Sequence, residues 1–303
     1  MLPEPWARAM LAAGRRAGGL ASKMKEVDRR RWHYLEGGPD DRPVLVCLHG
    51  FGADADHWVM VSRPLERHFH VLAPDLPGFG DTDPPEEAAT ATAQAEALRE
   101  FLDAVGVQRC VLAGNSMGGW VATAFAERHP ERVQGLWLLA PLGVTESEKS
   151  PVLSAVDAGE ISPLDFTSAK DFQQRVMQPM FYRDRRLPRP LVHYFARRAV
   201  PRRELYKEIL NEVREQSPSM ERLADHVRVP VLLQWGDADL VTHPSGAESL
   251  RRHFSDLEVD PVERCGHLPM LERPERVVKR FNQFARDHGW FEELASNPER
   301  SPL

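Results

Sequence analysis

The chain is poor in cysteine and has no long uninterrupted hydrophobic segment. Its three cysteines, Cys47, Cys110 and Cys265, are spaced neither as a disulfide framework nor as zinc ligands, and no His-Glu-x-x-His motif occurs. No apolar run reaches the roughly 18 residues that a membrane-spanning helix requires. The sequence therefore predicts reduced and mostly buried thiols, no metal site and no membrane-spanning helix.

The first residues also lack the apolar core of a secretory signal peptide, because Glu4 lies early and Arg15 and Arg16 interrupt a stretch of small residues. Together with the reduced thiols, this predicts a cytoplasmic location. Hydrophobic residues make up 42% of the 303 residues and charged residues 28%, so the chain has enough apolar material for a large core. This composition excludes a collagen-like, mainly disordered or disulfide-scaffold protein.

Apolar runs of strand length alternate with helical segments along most of the chain. The runs lack regular polar alternation, which is typical of strands that are buried on both faces. We predict strands at 44–48, 71–73, 111–113, 135–140, 231–235 and 257–262, and helices at 90–105, from 117 to about 129 and at 274–288. Strands that alternate with helices predict an α/β fold with a mostly parallel sheet and helices on both faces.

Two segments interrupt this alternation. Apolar residues recur at three- and four-residue spacing between residues 5 and 25, which predicts an amphipathic N-terminal helix within residues 1–25. Residues 142–226 are helical in pattern, rich in aromatic residues and punctuated by prolines, so we interpret them as a helical cap inserted between two strands. Residues 26–141 and 227–303 then form the α/β core.

The strand predicted at 111–113 is followed by Gly-Asn-Ser-Met-Gly, residues 114–118. This is a G-x-S-x-G pattern at a strand-to-helix junction, the context in which it carries a nucleophile. The turn is so sharp that the residues two before and two after the serine must be small to avoid backbone collision. It presents the hydroxyl of Ser116 above the carboxyl edge of the sheet, where open α/β sheets bind ligands. Ser116 is therefore the candidate nucleophile.

A serine nucleophile needs a base, and the base needs an anionic partner. His267 lies in a Gly/Pro loop just past the last predicted strand, and of the twelve histidines only this one has that position. Asp239 lies at the end of the preceding strand, and the order Ser, Asp, His is typical of this kind of fold. Asp237 is the competing carboxylate, but its spacing from Gly236 favours Asp239 as the partner and Asp237 as a turn residue.

Two backbone N–H groups are candidates for an oxyanion hole, which holds the oxygen that becomes negative in a tetrahedral intermediate. One belongs to Met117, directly after the serine, and the other to Phe51, in the glycine-containing loop after the first buried strand. That loop also resembles part of a dinucleotide-binding fingerprint, with Asp75 in the place of its acidic residue. Because Asp54 and Asp56 would repel a pyrophosphate, we expect no cofactor, and we interpret Asp75 as a turn residue.

Four segments carry a resemblance to a known family. They are residues 49–54 (HGFGAD) with Trp58, residues 73–80 (APDLPGFG), residues 114–119 (GNSMGG) and residues 265–270 (CGHLPM). Over about residues 26–290 the chain resembles an α/β-hydrolase-fold serine hydrolase, and within that superfamily bacterial lipases and monoacylglycerol-lipase-like esterases. The resemblance implies Ser116, Asp239 and His267 as a catalytic triad and the hydrolysis of carboxylic esters through an acyl-enzyme. It is weaker across the cap.

Other classes of protein share parts of this pattern. Carbon–carbon bond hydrolases of the meta-cleavage type have the same Asn-Ser-Met-Gly-Gly sequence, but they carry Gly-x-Gly-Pro-Gly in the first loop and Trp after the catalytic His. This chain has GFGAD at residues 50–54 and Leu268 in those places. Perhydrolases that resemble haloperoxidases use the same triad and stay open as an alternative. A binding protein without activity is disfavoured, because such proteins usually lose a triad member.

Apolar residues of the cap, with one leucine beside the candidate histidine, are candidates for an acyl-chain pocket. We predict that the substrate-binding residues are Met177, Met180, Phe181, Phe195 and Leu268. The alternative for each cap residue is that it contributes only to the core of the cap.

The formal net charge of −6 conceals an uneven distribution. Residues 1–31 and residues 165–222 each carry a net +5, so the rest of the chain carries −16. A basic amphipathic helix can lie on an anionic membrane surface, and a basic cap beside it would face the same way. We expect a small-molecule or lipid ester as substrate and no nucleic-acid partner. Two interpretations of these basic segments stay open. They make a peripheral contact with the inner membrane surface, or they are two basic helical faces that contact only solvent.

Overall fold

The computed structural model of the chain describes residues 4–86, 88–160, 164–183 and 188–291. All six predicted strands are present, with ends within two residues of the prediction, and two further strands precede them. The strands are β1 (Ala21–Val27), β2 (Arg30–Gly37), β3 (Val44–Leu48), β4 (His70–Pro74), β5 (Cys110–Asn115), β6 (Val133–Leu139), β7 (Val231–Gly236) and β8 (Leu257–Val262).

The strands form one sheet in the order β1-β2-β4-β3-β5-β6-β7-β8. β2 pairs antiparallel with both β1 and β4, and every other pair of neighbours is parallel. This confirms the predicted α/β fold with a mostly parallel sheet. Because the carboxyl ends of parallel strands lie at one edge, the loops that follow β3, β5, β7 and β8 meet there.

Helices cover both faces of this sheet, as the alternating pattern predicts. They are α1 (Glu4–Ala17), α2 (Val59–Leu65), α3 (Ala91–Ala104), α4 (Met117–Arg128), α5 (Pro151–Asp157), α6 (Ala169–Phe172), α7 (Arg189–Ala199), α8 (Arg203–Gln216), α9 (Met220–Ala224), α10 (Gly246–Leu250), α11 (Pro269–Glu272) and α12 (Pro274–Asp287). In the part of the chain that the structure describes, none of the helices has the length and apolar character needed to cross a membrane.

The sheet separates two core clusters. Side chains of β3 alternate between them: Val46 and Leu48 pack in the cluster that includes α3 and α4, which we call the α3–α4 cluster. Leu45 and Cys47 pack in the cluster that includes α2 and α12, the α2–α12 cluster. Since both faces are apolar, the strands show no polar alternation in the sequence.

The N-terminal helix is shorter than predicted, because it ends at Ala17 and residues 21–25 belong to β1. Gly19 adopts a left-handed φ of 82° and its N–H donates to the carbonyl of Arg16 (3.0 Å), while the N–H of Leu20 donates to Arg15 (2.8 Å). This pair of bonds is a Schellman motif, which ends a helix at a glycine. The apolar spacing continued to Met24, but that side chain is 53% exposed on a strand.

The described part of residues 142–226 contains helices and no strand, and it lies between β6 and β7 in the chain. It is tied to the rest of the molecule by hydrogen bonds. The indole N–H of Trp120 donates to the carbonyl of Pro218 (2.9 Å), and the N–H of Ala91 donates to the hydroxyl of Ser217 (2.9 Å). These bonds fix residues 217 and 218 against the start of α3 and against α4.

Candidate active site

Ser116 occupies a strained turn between β5 and α4. Its backbone torsions are φ 55° and ψ −121°, a conformation that residues other than glycine rarely adopt and that clusters at functional sites. The turn is held by hydrogen bonds from Ser116 N–H to the carbonyl of Leu139 (3.0 Å) and from the N–H of Leu142 to the carbonyl of Ser116 (3.0 Å). The structure thus places Ser116 on the turn that the G-x-S-x-G pattern predicts.

The glycines on either side of Ser116 make this turn sterically possible. A Cβ at Gly114 would lie 2.3 Å from the carbonyl oxygen of Gly118, and a Cβ at Gly118 would lie 2.3 Å from the carbonyl oxygen of Leu48. No carbon atom tolerates such a contact, so a larger residue would force the backbone of β3 or of the turn to move.

We expect Gly118→Ala to lower the free energy of unfolding by about 2–3 kcal/mol, because its Cβ would collide with fixed backbone. Gly14→Ala is the matched control: its Cβ would lie 3.9 Å from Cγ1 of Val59, and alanine favours a helix interior by up to about 1 kcal/mol. Denaturant unfolding of both variants measures the difference. Equal stability of the Gly118 variant and the wild type would contradict this steric account.

His267 and Asp239 are joined by a short hydrogen bond. Nδ1 of His267 lies 2.8 Å from Oδ2 of Asp239, and the residues are only 2% and 3% exposed. Asp239 follows β7 and His267 follows β8, so the neighbouring parallel strands bring the two loops together. The carboxylate of Asp237 instead accepts the N–H of Cys265 (3.3 Å) and makes no hydrogen bond to His267. The structure thus favours Asp239 over Asp237 as the partner.

Asp239 receives four further hydrogen bonds. They come from the N–H of Val241 (2.8 Å), the N–H and the hydroxyl of Thr242 (3.1 and 2.9 Å) and the indole N–H of Trp235 (3.2 Å). Every one of these hydrogen bonds is donated to the carboxylate. It requires the proton of a neutral His267 on Nδ1, which leaves Nε2 as an acceptor. Thr242 and Trp235 gave no signal of this role in the sequence.

The main chain of His267 is fixed as firmly as its ring. Its N–H donates to the carbonyl of Met180 (2.8 Å), and its carbonyl accepts from Nδ2 of Asn115 (3.1 Å). Asn115 directly precedes Ser116, so its amide ties the histidine loop to the strained turn, and Met180 adds a tie to the cap. The sequence motif includes Asn115, but the function of its side chain appears only in the folded chain.

The loop after β3 passes directly beside Ser116. A Cβ at Gly50 would lie 3.1 Å from the Cβ of Ser116. His49 holds this loop, because its Nδ1 donates to the carbonyl of Gly50 (2.8 Å) and its Nε2 accepts the N–H of Leu76 (2.9 Å). Burial lowers the pKa of His49, which favours the neutral ring that this donor–acceptor pair requires.

The two candidate oxyanion donors lie at this junction. Phe51 follows Gly50 in the loop, and Met117 is the first residue of α4, where helix N–H groups have no intrahelical acceptor. Within the described residues, the N–H groups of Phe51 and Met117 donate to no backbone carbonyl. Both are therefore available to an oxygen of a bound molecule.

Two titratable side chains near this loop have strongly shifted pKa values. Burial, with two neighbouring aspartates, raises the pKa of Asp54 to about 7. Burial, with the neighbouring His49 and His267, lowers the pKa of His57 to about 3. His57 is therefore uncharged at neutral pH, so it does not repel a positive charge on the ring of His267.

The five predicted substrate-binding residues do not form one group. Met177 and Phe195 are partly buried and pack against the α3–α4 cluster. Phe181 and Leu268 are buried in the α2–α12 cluster, and Met180 packs against that cluster. Burial of an apolar residue in a core gives the same sequence signal as burial against a ligand, so the pattern could not separate the two groups.

An aromatic cluster that the sequence analysis missed lies beside the β3 loop. The ring centroids of Phe51 and Phe79 are 5.4 Å apart, those of Phe51 and Tyr206 are 5.7 Å apart, and those of Phe79 and Tyr206 are 5.4 Å apart. Tyr206 belongs to α8 of the cap. The cluster therefore joins the cap to the loop that carries one candidate oxyanion donor.

The described residues contain one group that has the composition of a metal site, formed by Glu36, Asp40 and His70. Nε2 of His70 lies 3.0 Å from Glu36, whereas Nδ1 of the same ring lies 3.4 Å from Asp40. The two carboxylates thus face different nitrogens of the His70 ring. Lys23 also forms an ion pair with Glu36, so this carboxylate already has a cationic partner.

Comparison with known proteins identifies the family to which the chain belongs. Residues 43–274 match the alpha/beta hydrolase fold family, and the chain belongs to that family. The sheet order and the strained serine turn agree with this assignment. The resemblance drawn from the four sequence segments is therefore confirmed.

The relatives of the chain include lipases. The chain is 29% identical to Lipase 1 of Psychrobacter immobilis. The matched region covers 83% of this chain and 79% of that protein. It is also 29% identical to a monoacylglycerol lipase of Mus musculus, over 88% of this chain and 82% of that protein. The crystal structure of a membrane phospholipase A superposes with a TM-score of 0.90 and 36% identity, over 95% of this chain and 92% of the other. Family and relatives together support a hydrolase that acts on esters.

Proposed function

We propose that the protein hydrolyses carboxylic esters of lipids, with Ser116 as nucleophile, His267 as general base and acid, and Asp239 as the group that orients His267. The observation that carries the proposal is the 2.8 Å hydrogen bond between His267 and Asp239, at the sheet edge where a strained turn holds Ser116. The names of the relatives, which include lipases and a phospholipase, support a lipid ester as the substrate.

In the first half-reaction, Oγ of Ser116 attacks the ester carbonyl and Nε2 of His267 takes the hydroxyl proton. The ester oxygen becomes an anion, and the N–H groups of Phe51 and Met117 hold it. When the tetrahedral intermediate collapses, the bond to the alcohol breaks and His267 gives its proton to the leaving alcohol. Asp239 stabilises the imidazolium that exists between these two transfers.

In the second half-reaction, water replaces the alcohol. His267 takes a proton from the water as it attacks the acyl-enzyme, and the same two N–H groups hold the new oxyanion. Collapse of this intermediate breaks the bond to Ser116, which regains its proton from His267, and releases the carboxylic acid. Every step uses a side chain or a backbone group of this chain, and no cofactor takes part.

For the acyl chain, we propose a position between the residues that adjoin His267 and the aromatic cluster of Phe51, Phe79 and Tyr206. Met180 and Leu268 flank the histidine, since one accepts its N–H and the other follows it in the chain. Met177, Phe181 and Phe195 would add apolar surface from the cap.

A substrate panel tests the proposed reaction. We expect turnover of p-nitrophenyl esters and of monoacylglycerols, with rates that depend on acyl chain length, and no cleavage of a dienoic diketone. The panel is run with soluble esters and with esters in anionic phospholipid vesicles. Cleavage of the diketone without ester turnover would replace the proposal with a carbon–carbon bond hydrolase.

We also propose that the protein lies in the cytoplasm, where α1 and α7 make a peripheral contact with the inner membrane surface. α1 packs against α7, and Trp6 of α1 is 44% exposed. The three cysteines are buried and unpaired, which supports a reducing compartment. An exposed aromatic residue beside basic residues is typical of a helix that lies in the membrane interface.

Fewer basic side chains are available to a membrane than the net charges of residues 1–31 and 165–222 indicate, because some of these side chains form ion pairs within the protein. Arg15 makes a two-point ion pair with Asp56 (2.6 and 2.8 Å), and Arg198 binds Asp81 (2.7 Å). α1 has two exposed cations, Arg8, which pairs with Glu4 (2.8 Å), and Arg16. We expect the double variant Trp6→Ser/Arg16→Glu to lose rate on vesicle-borne ester only. Arg251→Glu, an exposed charge reversal directly after α10, is the control, and equal vesicle rates for all three proteins would contradict the contact.

A further inference from the structure

A second series of hydrogen bonds that joins a serine, a histidine and an aspartate lies outside the proposed active site. Oγ of Ser22 lies 2.8 Å from Nε2 of His33, and Nδ1 of His33 lies 2.7 Å from Oδ2 of Asp75. His33 and Asp75 are buried, whereas Ser22 is exposed. Ser22 pairs with Leu35 in the regular ladder of β1 and β2, so it lacks the strained turn that makes a serine a nucleophile. Any role of this series of hydrogen bonds must therefore come from its Asp75 end.

Asp75 receives backbone hydrogen bonds from two loops. Its Oδ1 accepts the N–H of Ala55 (2.7 Å), in the loop that carries Phe51, and its Oδ2 accepts the N–H of Asp81 (2.8 Å). A Cβ at Gly80 would lie 1.9 Å from Oδ2, so the second loop closes directly over the carboxylate. One buried side chain therefore sets the distance between the two loops.

The charge of Asp75 makes this attachment rigid. Burial opposes charge on both partners, yet their mutual hydrogen bond and attraction raise the pKa of His33 and lower the pKa of Asp75. An ionised carboxylate only accepts hydrogen bonds, and charge-assisted bonds are shorter and stronger than neutral ones. The N–H of Ala55 therefore has a fixed acceptor.

The loop after β4 is itself held by the cap. The guanidinium of Arg198 donates to the carbonyl of Gly80 (2.8 Å) and to the carboxylate of Asp81 (2.7 Å). Asp75 thus links a loop that is anchored on the cap side to the loop beside Ser116. A change at Asp75 breaks this link, and we expect the loop of Phe51 to shift relative to the loop after β4.

We propose that Asp75 and His33 are positioning residues that fix the loop of Phe51 and so aim its N–H at the oxyanion. This inference rests on the proposed function, since it concerns the geometry of the same site. It departs from the interpretation of Asp75 as a turn residue, because the side chain acts across loops. The oxyanion donor must lie within a few tenths of an ångström of its target to lower the barrier, whereas ground-state binding does not depend on it.

Four variants test this inference: Asp75→Asn, His33→Leu, His33→Asn and Ser22→Ala. Asparagine at position 75 replaces one acceptor oxygen with an NH₂ group. Facing His33 and the N–H of Asp81, that group would be a donor opposite two donors. Leucine at position 33 removes the donor to Asp75, and asparagine at position 33 restores one near Nδ1. Ser22→Ala leaves every contact of Asp75 unchanged and is the control.

The readouts are kcat, KM, the affinity for a trifluoromethyl ketone that forms a tetrahedral adduct with Ser116, and the affinity for the product alcohol. We expect Asp75→Asn and His33→Leu to lower kcat by about tenfold to a hundredfold. They should weaken ketone binding by the same factor, with KM and alcohol binding unchanged. His33→Asn should recover most of the loss, and Ser22→Ala should match the wild type.

Parallel losses of ketone and alcohol affinity, or unchanged kcat in both Asp75→Asn and His33→Leu, would overturn the inference. Failure of both variants to fold would do the same, since it assigns the pair a general structural role. A wild-type protein without Ser116-dependent ester turnover would instead overturn the proposed function. The two failures are therefore distinguishable in one set of assays.

Discussion

Replacing Ser116 with alanine should lower kcat for a soluble ester by a factor on the order of 10⁴ or more. The change removes only the hydroxyl, while the backbone turn, the N–H groups of Phe51 and Met117 and the His267–Asp239 pair stay in place. The residual rate then comes from binding and from the oxyanion donors alone. KM should change little, because the hydroxyl is not needed to hold the substrate before it reacts.

Ser22→Ala is the matched control for that result. It removes the hydroxyl of another serine that is hydrogen-bonded to a histidine, at 2.8 Å, but from a strand rather than from a strained turn. We expect it to keep the wild-type kcat. Near-normal turnover by Ser116→Ala, or an equal loss in both variants, would refute the assignment of Ser116 as nucleophile.

Asp239→Asn should have the second largest effect, a fall in kcat at neutral pH on the order of 10⁴. The carboxylate accepts five hydrogen bonds and donates none. An amide in its place turns an NH₂ group toward one of these donors. If it faces His267, the ring must place its proton on Nε2, where it can no longer accept the proton of Ser116.

Asp237→Asn makes the same chemical change two residues away. Asp237 is exposed and its carboxylate accepts one N–H, from Cys265 at 3.3 Å. We expect kcat to stay within a few fold of the wild type. A large loss for Asp237→Asn together with a small loss for Asp239→Asn would reverse the roles of the two aspartates, for which the spacing from Gly236 favours Asp239.

The features predicted well from the sequence depend on local chemistry. The turn at Ser116 is specified by two glycines that no other residue can replace without collision, so the five-residue pattern locates it when a strand precedes it and a helix follows it. The doubly buried strands appear as apolar runs, since both of their faces lie in core clusters. The order of these elements along the chain then brings the loops of Ser116, Asp239 and His267 to one edge.

The features that escaped prediction depend on contacts between distant segments. His33 and Asp75 are 42 residues apart in sequence and meet only because β2 pairs with β4. Met24 continued a helical spacing, yet its segment pairs with a neighbouring strand, since sheet pairing outweighs local periodicity. The acyl-pocket prediction treated five apolar residues as one group because hydrophobicity does not encode which cluster a side chain joins.

The most direct test of the account is the site of covalent labelling by a fluorophosphonate. This reagent reacts with an activated serine, so intact-protein mass spectrometry gives the number of labels and peptide mapping gives their position. The account predicts one label per chain on Ser116, no label in the Ser116→Ala variant, and greatly slowed labelling in Asp239→Asn. A label on Ser22 or any other residue, or undiminished labelling of Ser116→Ala, would contradict it.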